Sequence, residues 1–308
     1  MSSRFFFQRF VQTVLTLVLL SMVVFGLARL SGDPVLIMAP PEATDAQLDQ
    51  MRAEYGLDRP LPVQYWRFIS RVAQGDFGMS IKWNVPAIDI VIERFPATLL
   101  LATTSILFGI LLALPVGILS AVKRDTWIDN FGKIVALAGQ SMPTFWFGIL
   151  LILIFAVYGK WLPTSGYGTF SHLILPSITL GGFVAAAIMR VTRSAMLDAL
   201  ESDYIRTARS RGVAEWRVIM VHALKNAAIP IVTIIGLQAA TILRGAVVTE
   251  TVFVWPGIGK IAVDAVYARD FPLVQAAVLT MGVVFLLVNL IVDFIYIYLD
   301  PRISYQKK

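Results

Sequence analysis

The sequence has no cysteine and few charged residues. Of its 308 residues, none is Cys and only 15% are Asp, Glu, Lys or Arg, whereas soluble domains carry about 25% of these charged types. The absence of cysteine excludes disulfides, thiolate metal sites and cysteine nucleophiles. Because so few charges could not coat a soluble globule of this length, the composition argues against a water-soluble enzyme.

Long hydrophobic stretches separate the clusters of charged residues. Hydrophobic residues make up 57% of the chain, and its mean hydropathy is +0.74. A helix needs about 20 apolar residues to cross a bilayer, and six stretches between the charged clusters are long enough. They lie near residues 10–29, 97–121, 134–158, 173–193, 229–251 and 275–298. The sequence therefore predicts an all-α membrane protein with six transmembrane helices.

The distribution of Lys and Arg predicts the orientation of these helices. Fifteen lie near the N-terminus, in the 122–133 and 190–228 loops and in the C-terminal tail, whereas the short loops of the opposite side hold three. Since cytoplasmic loops are enriched in Lys and Arg, both termini are expected in the cytoplasm. The net charge of +6 follows from this topology, so we expect contact with membrane lipid and none with nucleic acid.

Three parts of the chain are predicted from this pattern. Residues 1–94 hold the first transmembrane helix and an external segment, residues 95–299 hold five further helices, and residues 300–308 form a cytoplasmic tail. The 19 uncharged residues at 10–28 exceed the core of a cleaved signal peptide, so the first helix is expected to be retained.

The external segment has signals for two short helices. Thr44 with Gln47 predicts a helix start, Gly56 predicts its end, and residues 64–72 predict a second helix. Spacing, shielding and the docking of an external partner all remain open as its role.

The second transmembrane helix has a small residue at every fourth position. These residues are Ser105, Gly109, Ala113, Gly117 and Ala121. Such a stripe lets two helix backbones approach closely in lipid, so it predicts a packing seam.

Two ionisable residues, Arg244 and Asp293, are predicted deep in the membrane. Because membrane-embedded charges are costly, both are expected to face protein or water. For Asp293 we expect a partner on a neighbouring helix or a group on the cytoplasmic side. For Arg244, snorkelling, pairing and a place on a translocation path all remain open.

The sequence contains two histidines, His172 and His222. The predicted topology places them on opposite sides of the membrane. Neither a histidine metal site nor a Ser-His pair is therefore expected. We predict no catalytic residue, no metal and no cofactor.

Residues 195–228 form the most informative loop. The stretch from Tyr204 to Arg211 predicts a short basic helix, capped by Ser202 or Asp203 and ended by Gly212 in a left-handed conformation. A second helix is predicted with an apolar face formed by Trp216, Ile219, Met220, Ala223 and Leu224. Pro230 is then expected in the first turn of the fifth transmembrane helix. Two roles stay open: an amphipathic connector at the membrane surface, or a lever moved by a soluble partner.

The loop resembles a known family at this point. Tyr204-Ile205-Arg206-Thr207-Ala208-Arg209 up to Gly212, followed by His222 to Pro230, resembles the coupling loop of ABC importer permeases, in its dipeptide, oligopeptide and nickel version. Other segments resemble the B-type subunit of these importers. They include Gly32-Asp33-Pro34, Tyr55 to Pro60, Gln64-Tyr65, Gly75 to Gly78, Ser141 to Trp146 and Glu250 to Gly259.

The resemblance implies a type I ABC importer permease fold in a bacterial inner membrane. It implies a heterodimer with a second permease subunit, two cytoplasmic ATP-binding subunits and an extracytoplasmic substrate-binding protein. It places contacts with the ATP-binding subunits at Tyr204, Arg206, Thr207, Ala208, Arg209 and Gly212. Arg244 is the candidate residue on the translocation path. Dipeptides, oligopeptides, glutathione-like peptides, opines and nickel chelates remain open as cargo.

Two other functions are weighed against this one. An ion-gradient-driven carrier of small solutes is the alternative. A proton path usually needs several buried acidic residues, whereas Arg244 and Asp293 are the two charged residues predicted deep in the membrane. A membrane-embedded hydrolase lacks the residues for a site. ATP hydrolysis is expected on another subunit, because Gly257-Ile258-Gly259-Lys260 lacks the glycine spacing and the Ser or Thr of a phosphate-binding loop.

Overall fold

The computed structural model describes residues 3–30, 35–40, 42–54 and 56–299, and these are almost entirely helical. The predicted features at 32–34, at Tyr55 and in the 300–308 tail lie outside these ranges. The helices are α1 (Ser3–Leu30), α2 (Val35–Met38), α3 (Asp45–Glu54), α4 (Leu61–Val72), α5 (Ala87–Val122), α6 (Trp127–Ser141), α7 (Thr144–Leu151), α8 (Phe170–Leu200), α9 (Asp203–Ser210), α10 (Glu215–Arg217), α11 (Leu224–Val252), α12 (Ile258–Tyr267) and α13 (Phe271–Leu299). Two π-helical stretches, Ile152–Tyr158 and Val218–Ala223, extend α7 and α10.

Five helical segments are long and apolar enough to cross a membrane. They are Phe7–Leu30, Ala87–Val122, Phe170–Leu200, Glu215–Val252 and Phe271–Phe294. A bent pair, Trp127–Ser141 with Thr144–Tyr158, makes six when it is counted as one span. The predicted all-α fold is confirmed, and the predicted number of six membrane-spanning segments is confirmed when the bent pair is counted as one span.

The third span is not the single straight helix predicted for residues 134–158. It bends by 109° between α6 and α7, where Met142 is extended (φ −81°, ψ 131°) and Pro143 precedes α7. A proline disfavours helical geometry in the residue before it, so α6 ends at Ser141. The span also begins earlier than predicted, at Trp127.

The predicted packing seam of the second span lies on α5 and faces α8. Ser105, Ala113 and Ala121 are buried, and a Cβ atom at Gly117 would lie 2.9 Å from the carbonyl oxygen of Met189. On the α8 side, a Cβ atom at Gly181 would collide with the carbonyl oxygen of Ser105. The small residues therefore allow direct contact between two helix backbones, as predicted.

The fifth span is longer than predicted and starts before Pro230. Helical structure runs without a break from Glu215 to Val252, over 38 residues. Pro230 lies inside α11 and not in its first turn. The second helix predicted for the 195–228 loop is thus the beginning of the fifth span.

The chain divides into two compact units. The first contains Met1–Ala97 and Pro256–Leu286, and the second contains Thr98–Trp255 and Leu287–Lys308. The core of the first unit is formed by apolar residues from the start of α5, from α12 and from α13. A second cluster joins α1, α4 and α13 through Phe25, Phe68 and Leu279.

The external segment predicted at 31–94 belongs to the first unit. The backbone N–H of Thr44 donates to Oε1 of Gln47 at 2.9 Å, and Gly56 is left-handed (φ +66°) after α3, so both predicted boundaries are confirmed. The second short helix, α4, starts at Leu61 and not at residue 64. A buried carboxylate, Asp270, fixes the loop before α5 by accepting hydrogen bonds from the Ser80 hydroxyl and the Lys82 backbone.

Candidate functional site

The 195–228 segment joins α8 to α11 by way of the short helix α9. One side chain attaches α9 to the rest of the unit: Ile205 is fully buried. It packs in an apolar cluster with Met196 of α8, Ala121 of α5 and Val218 and Ala223 of the π-helical stretch. The tip of the segment is therefore held by α8 and by the start of the fifth span.

The predicted contact residues lie around this anchor. Tyr204, Arg206, Thr207 and Arg209 are exposed, and Ala208 is half-buried against the Ile205 cluster. Arg206 forms an exposed ion pair with Asp203 at 3.4 Å. Helix α9 thus buries one apolar side and presents an aromatic and basic surface to its surroundings.

Gly212 ends α9 as predicted. Its φ is +76°, and the Gly212 and Val213 N–H groups donate to the carbonyl oxygens of Arg209 and Ala208. This arrangement satisfies the last carbonyl groups of the helix and favours glycine at the left-handed position. A Cβ atom at Gly212 would meet no atom within 4 Å, so only the backbone conformation restricts this position.

The predicted cap at the start of α9 is only half right. Ser202 occupies the N-cap position, but its hydroxyl donates to the carbonyl oxygen of Ala199 and caps no α9 amide. Asp203 is the first residue of the helix, where its charge is favourable to the helix dipole.

Arg209 connects α9 to α10 through an ion pair with Glu215 that contains two hydrogen bonds. Its Nε and Nη2 donate to the carboxylate oxygens of Glu215 at 3.2 and 2.7 Å. This hydrogen bonding raises the pKa of the Arg209 guanidinium above its ordinary value. The pair crosses the turn at Gly212 and links the two helices.

The apolar face predicted for the second helix is confirmed in part. Ala223 is buried, and Ile219 and Leu224 pack against the Ile205 cluster, but Trp216 and Met220 are exposed and Val218 is buried in their place. The reason is the π-helical stretch Val218–Ala223, which has one more residue per turn than an α-helix and so shifts the buried face. Trp216 instead lies beside Arg217, whose guanidinium is 5.3 Å from the ring centre.

A buried ion pair at the base of the segment was missed by the sequence reasoning. Asp129 of α6 has no exposed surface and accepts two hydrogen bonds from Arg193 of α8, at 2.6 and 2.8 Å. Lys133 lies 3.0 Å from the same carboxylate, and the Asp125 backbone donates to it at 3.1 Å. The ion pair fixes α6 to α8 a few residues before α8 reaches the segment. No sequence signal pairs residues 64 positions apart.

Arg244 lies away from this segment. It is an exposed residue of α11, 16 positions beyond residue 228, which is about 24 Å along a helix axis. Asp293 is half-buried on α13. Another buried carboxylate, Glu250, accepts a hydrogen bond from the Thr98 hydroxyl at 2.7 Å. Its burial was not predicted from the sequence.

The segment combines an exposed surface with a buried attachment point. Among the described residues, no group of three His, Asp or Glu side chains is placed to hold a metal ion. The segment offers an exposed short helix, a buried apolar anchor and connections to two long helices, α8 and α11. Such an arrangement can bind a protein partner and carry displacement into the membrane.

Comparison with known proteins assigns the family. The model of binding-protein-dependent transport system inner membrane components matches residues 113–305, and the model of their N-terminal part matches residues 2–102. The glutathione transport system permease protein GsiC of Salmonella paratyphi A is 44% identical to this chain, and that of Escherichia coli strain K12 is 43% identical. Both alignments span 300 residues, 97% of this chain and 98% of the relative.

Solved structures show the same fold. Two inward-facing crystal forms of the MetNI methionine ABC transporter contain a chain that matches this one with TM-scores of 0.55 and 0.56. The matches cover 68% of this chain and 96% of the other, at 18% and 19% identity. The chain belongs to the family of binding-protein-dependent transport system inner membrane components and is a multi-pass permease subunit of an ABC importer in a bacterial inner membrane.

Proposed function

We propose that residues 195–228 couple this permease subunit to ATP-binding subunits and that its cargo is a peptide-like solute. The observation that carries the coupling role is the structure of α9. Its Ile205 is fixed in the core of the unit while Tyr204, Arg206 and Thr207 remain exposed. A partner that binds this surface acts directly on the helices that cross the membrane.

Helix α9 packs directly against two long membrane-spanning helices. The Ile205 cluster contains residues of α8 and of the fifth span, and these helical segments are 31 and 38 residues long. At 1.5 Å per residue they extend about 46 and 57 Å. A displacement of α9 therefore reaches the far end of both helices without passing through a flexible loop.

We propose four partners for the assembled importer. The family implies a second permease subunit, ATP-binding subunits and a substrate-binding protein. We infer that the second permease is a different chain, that two ATP-binding subunits are present, and that both termini are cytoplasmic. Residues 95–299 would form the translocation domain, to which residues 1–94 add a first helix and an external segment.

The first unit offers a surface for the substrate-binding protein. An open cleft of about 810 Å³ lies among residues of α1, α4, the 76–81 loop and the start of α13. Its wall includes Trp66, which is largely exposed, together with Arg67 and Arg71. The substrate-binding protein is expected to bind at this cleft of the first unit.

The cargo proposal is drawn from the relatives. The two GsiC proteins are named for glutathione transport, and glutathione is a small peptide with free carboxylates. We propose dipeptides, oligopeptides or glutathione-like peptides as the cargo class. Family membership decides against the ion-gradient carrier, and uptake into vesicles should accordingly persist when an uncoupler collapses the proton gradient.

Substitutions at Gly212 test the coupling role. In the assembled importer reconstituted in liposomes, Gly212→Val should reduce ATP-dependent uptake at least tenfold, because a β-branched residue is strained at φ +76°. Gly212→Asn is the matched control, since Asn tolerates this conformation, and it should retain most of the uptake. Ala208→Asp, which places a charge against the Ile205 cluster, should also abolish uptake. Full uptake with both Gly212→Val and Ala208→Asp would overturn the proposal.

A further inference from the structure

Helix α4 of the predicted external segment is attached to the membrane-spanning part of α1. The Tyr65 hydroxyl of α4 and the Ser21 hydroxyl of α1 form a hydrogen bond at 2.8 Å. The Phe68 ring of α4 packs on Phe25 of α1 with 5.6 Å between the ring centres. Both rings belong to an apolar cluster with Leu279 of α13. The depth of α4 therefore follows from the depth of the two long helices that hold it.

The length of α1 sets its position along the membrane normal. Between Arg9 and Arg29 it has 19 uncharged residues, which extend about 28 Å and match a hydrocarbon thickness of about 30 Å. Sliding α1 toward its C-terminal end would draw Arg9 into hydrocarbon, where a charge is costly. Arg29 is therefore expected at the membrane surface. Ser21 precedes it by eight residues and lies roughly 12 Å deeper along the axis.

Helix α13 leads to the same depth. Its uncharged stretch begins after Asp270 and runs to Val292, about 33 Å along a helix axis, so it too is just long enough to cross the hydrocarbon. Leu279 follows Asp270 by nine residues, which is about 13 Å. Both long helices thus place the Phe68 ring below the membrane surface.

The surface of α1 at this level is suited to lipid. Met22, Val23 and Leu27 are apolar and exposed, whereas Ser21 is 2% exposed because α4 covers it. Exposed apolar side chains on a membrane-spanning helix are expected to contact hydrocarbon. Since α4 packs beside this surface at the same level, its own outward side is expected to meet the same surroundings.

The outward side of α4 is apolar and aromatic. Trp66 is 70% exposed and Val63 is 42% exposed, and on a helical projection they lie about 60° apart. Helix α4 contains no Asp or Glu. Tryptophan is enriched where a membrane meets water, so this composition is typical of a helix that lies in the interface.

Helix α3 of the same segment has the opposite character. Its exposed side chains include Asp45, Gln47 and Asp49, and Asp49 forms an ion pair with Arg52 at 2.6 Å. A surface of this kind is solvated by water. The two short helices of the segment therefore differ in the solvent for which their exposed sides are suited.

We propose that α4 lies in one leaflet of the membrane, with Val63 and Trp66 in contact with lipid. The proposed topology makes this the outer leaflet. Arg67 and Arg71 lie about 100° and 140° from Trp66 around the helix, so their long side chains can reach the membrane surface while Trp66 stays in lipid. The cleft that these arginines line then opens at the lipid surface, and a soluble partner that binds it does so there.

Spin labels at single cysteines test the contact with lipid. The chain has no native cysteine, so Val63→Cys on α4 and Gln47→Cys on α3 can each carry one label in an importer whose other subunits contain no cysteine. Electron paramagnetic resonance in liposomes compares collisions of the label with oxygen, which concentrates in lipid, and with a water-soluble nickel chelate. The oxygen-to-nickel ratio should be about fivefold higher at position 63 than at position 47.

A label on α1 supplies the lipid reference. Leu19 is apolar and 54% exposed in the middle of α1, and Leu19→Cys should give an oxygen-to-nickel ratio close to that of position 63. If position 63 instead gives the ratio of position 47, α4 lies in water and the proposal is wrong. If the label at position 63 collides with neither reagent, a protein covers this side of α4, which also overturns contact with lipid.

A charge at position 66 provides a second test in the same assay. Trp66→Glu should lower the oxygen-to-nickel ratio at position 63 at least twofold, because a carboxylate draws this side of α4 toward water. Trp66→Phe is the matched control and should leave the ratio unchanged. A ratio that Trp66→Glu does not alter would contradict contact of this side chain with lipid. None of these measurements involves ATP or cargo, so their outcome is separate from coupling through α9, which the Gly212 variants test.

Discussion

Two arginine–carboxylate pairs of similar geometry hold the 195–228 segment, one at its base and one at its tip. Arg193 contacts Asp129 at 2.6 and 2.8 Å, and Arg209 contacts Glu215 at 3.2 and 2.7 Å. The side chains differ in exposure: Asp129 is 0% exposed and Arg193 21%, whereas Glu215 and Arg209 are 54% and 44% exposed. Bond lengths alone therefore do not predict which pair contributes more to stability. Removing one partner of the buried pair leaves an uncompensated charge inside the protein, whereas removing one partner of the exposed pair leaves a charge that water solvates.

The base of the segment should be the most sensitive to substitution. Arg193→Ala leaves the buried Asp129 carboxylate with Lys133 as its remaining cationic neighbour, and should lower the free energy of unfolding by about 3–5 kcal/mol. Denaturation of the detergent-solubilised subunit, followed by tryptophan fluorescence, measures this loss.

A double variant separates the cost of an isolated charge from the value of the pair. Asp129→Asn combined with Arg193→Gln removes both charges and should cost less than Arg193→Ala alone. If the double variant is the less stable of the two, the buried carboxylate is not the source of the loss.

The apolar anchor between the two pairs should have an intermediate effect. Ile205→Ala removes a fully buried side chain and should cost about 2–4 kcal/mol. The loss should be local, so limited proteolysis should cut within 203–217 faster than elsewhere. Tyr204→Ala, at the exposed neighbouring position, is the matched control and should leave the cleavage rate unchanged.

The tip should be the least sensitive in stability. Arg209→Ala and Glu215→Gln should each cost at most about 1 kcal/mol, because both partners are solvated when separated. A double-mutant cycle should give a coupling energy that disappears in 1 M salt, where charges are screened over about 3 Å. A cost equal to that of Arg193→Ala would show that burial does not explain the difference between the pairs.

The sequence allows the helical spans and the local signals to be predicted. Charge-free stretches locate the membrane segments because placing a charge in lipid is costly, so that charged residues are rare in these segments. Gly212 was predicted as a left-handed helix end because that signal is local. The role of α9 as a contact for ATP-binding subunits stays a prediction.

Other features could not be predicted, for different reasons. The bend at Met142 and Pro143 has a local signal, but both residues lie within one uncharged stretch whose length and composition predict a single span at 134–158. The π-helical stretch 218–223 has no periodic pattern of its own, and its extra residue per turn buries Val218 while it leaves Trp216 and Met220 exposed. The pairing of Asp129 with Arg193 depends on how α6 and α8 pack, which neither segment specifies alone.

The glycine contacts between α5 and α8 limit how the protein can change shape. Where a carbonyl oxygen of one helix rests on a glycine of the other, as at Ser105 and Gly181, there is no room for a Cβ atom between the two backbones. We therefore expect α5 and α8 to move as one body. A displacement of α9 that reaches α8 should then carry α5 with it, and the alternation between inward and outward access depends on movement of this pair relative to the other helices of the importer.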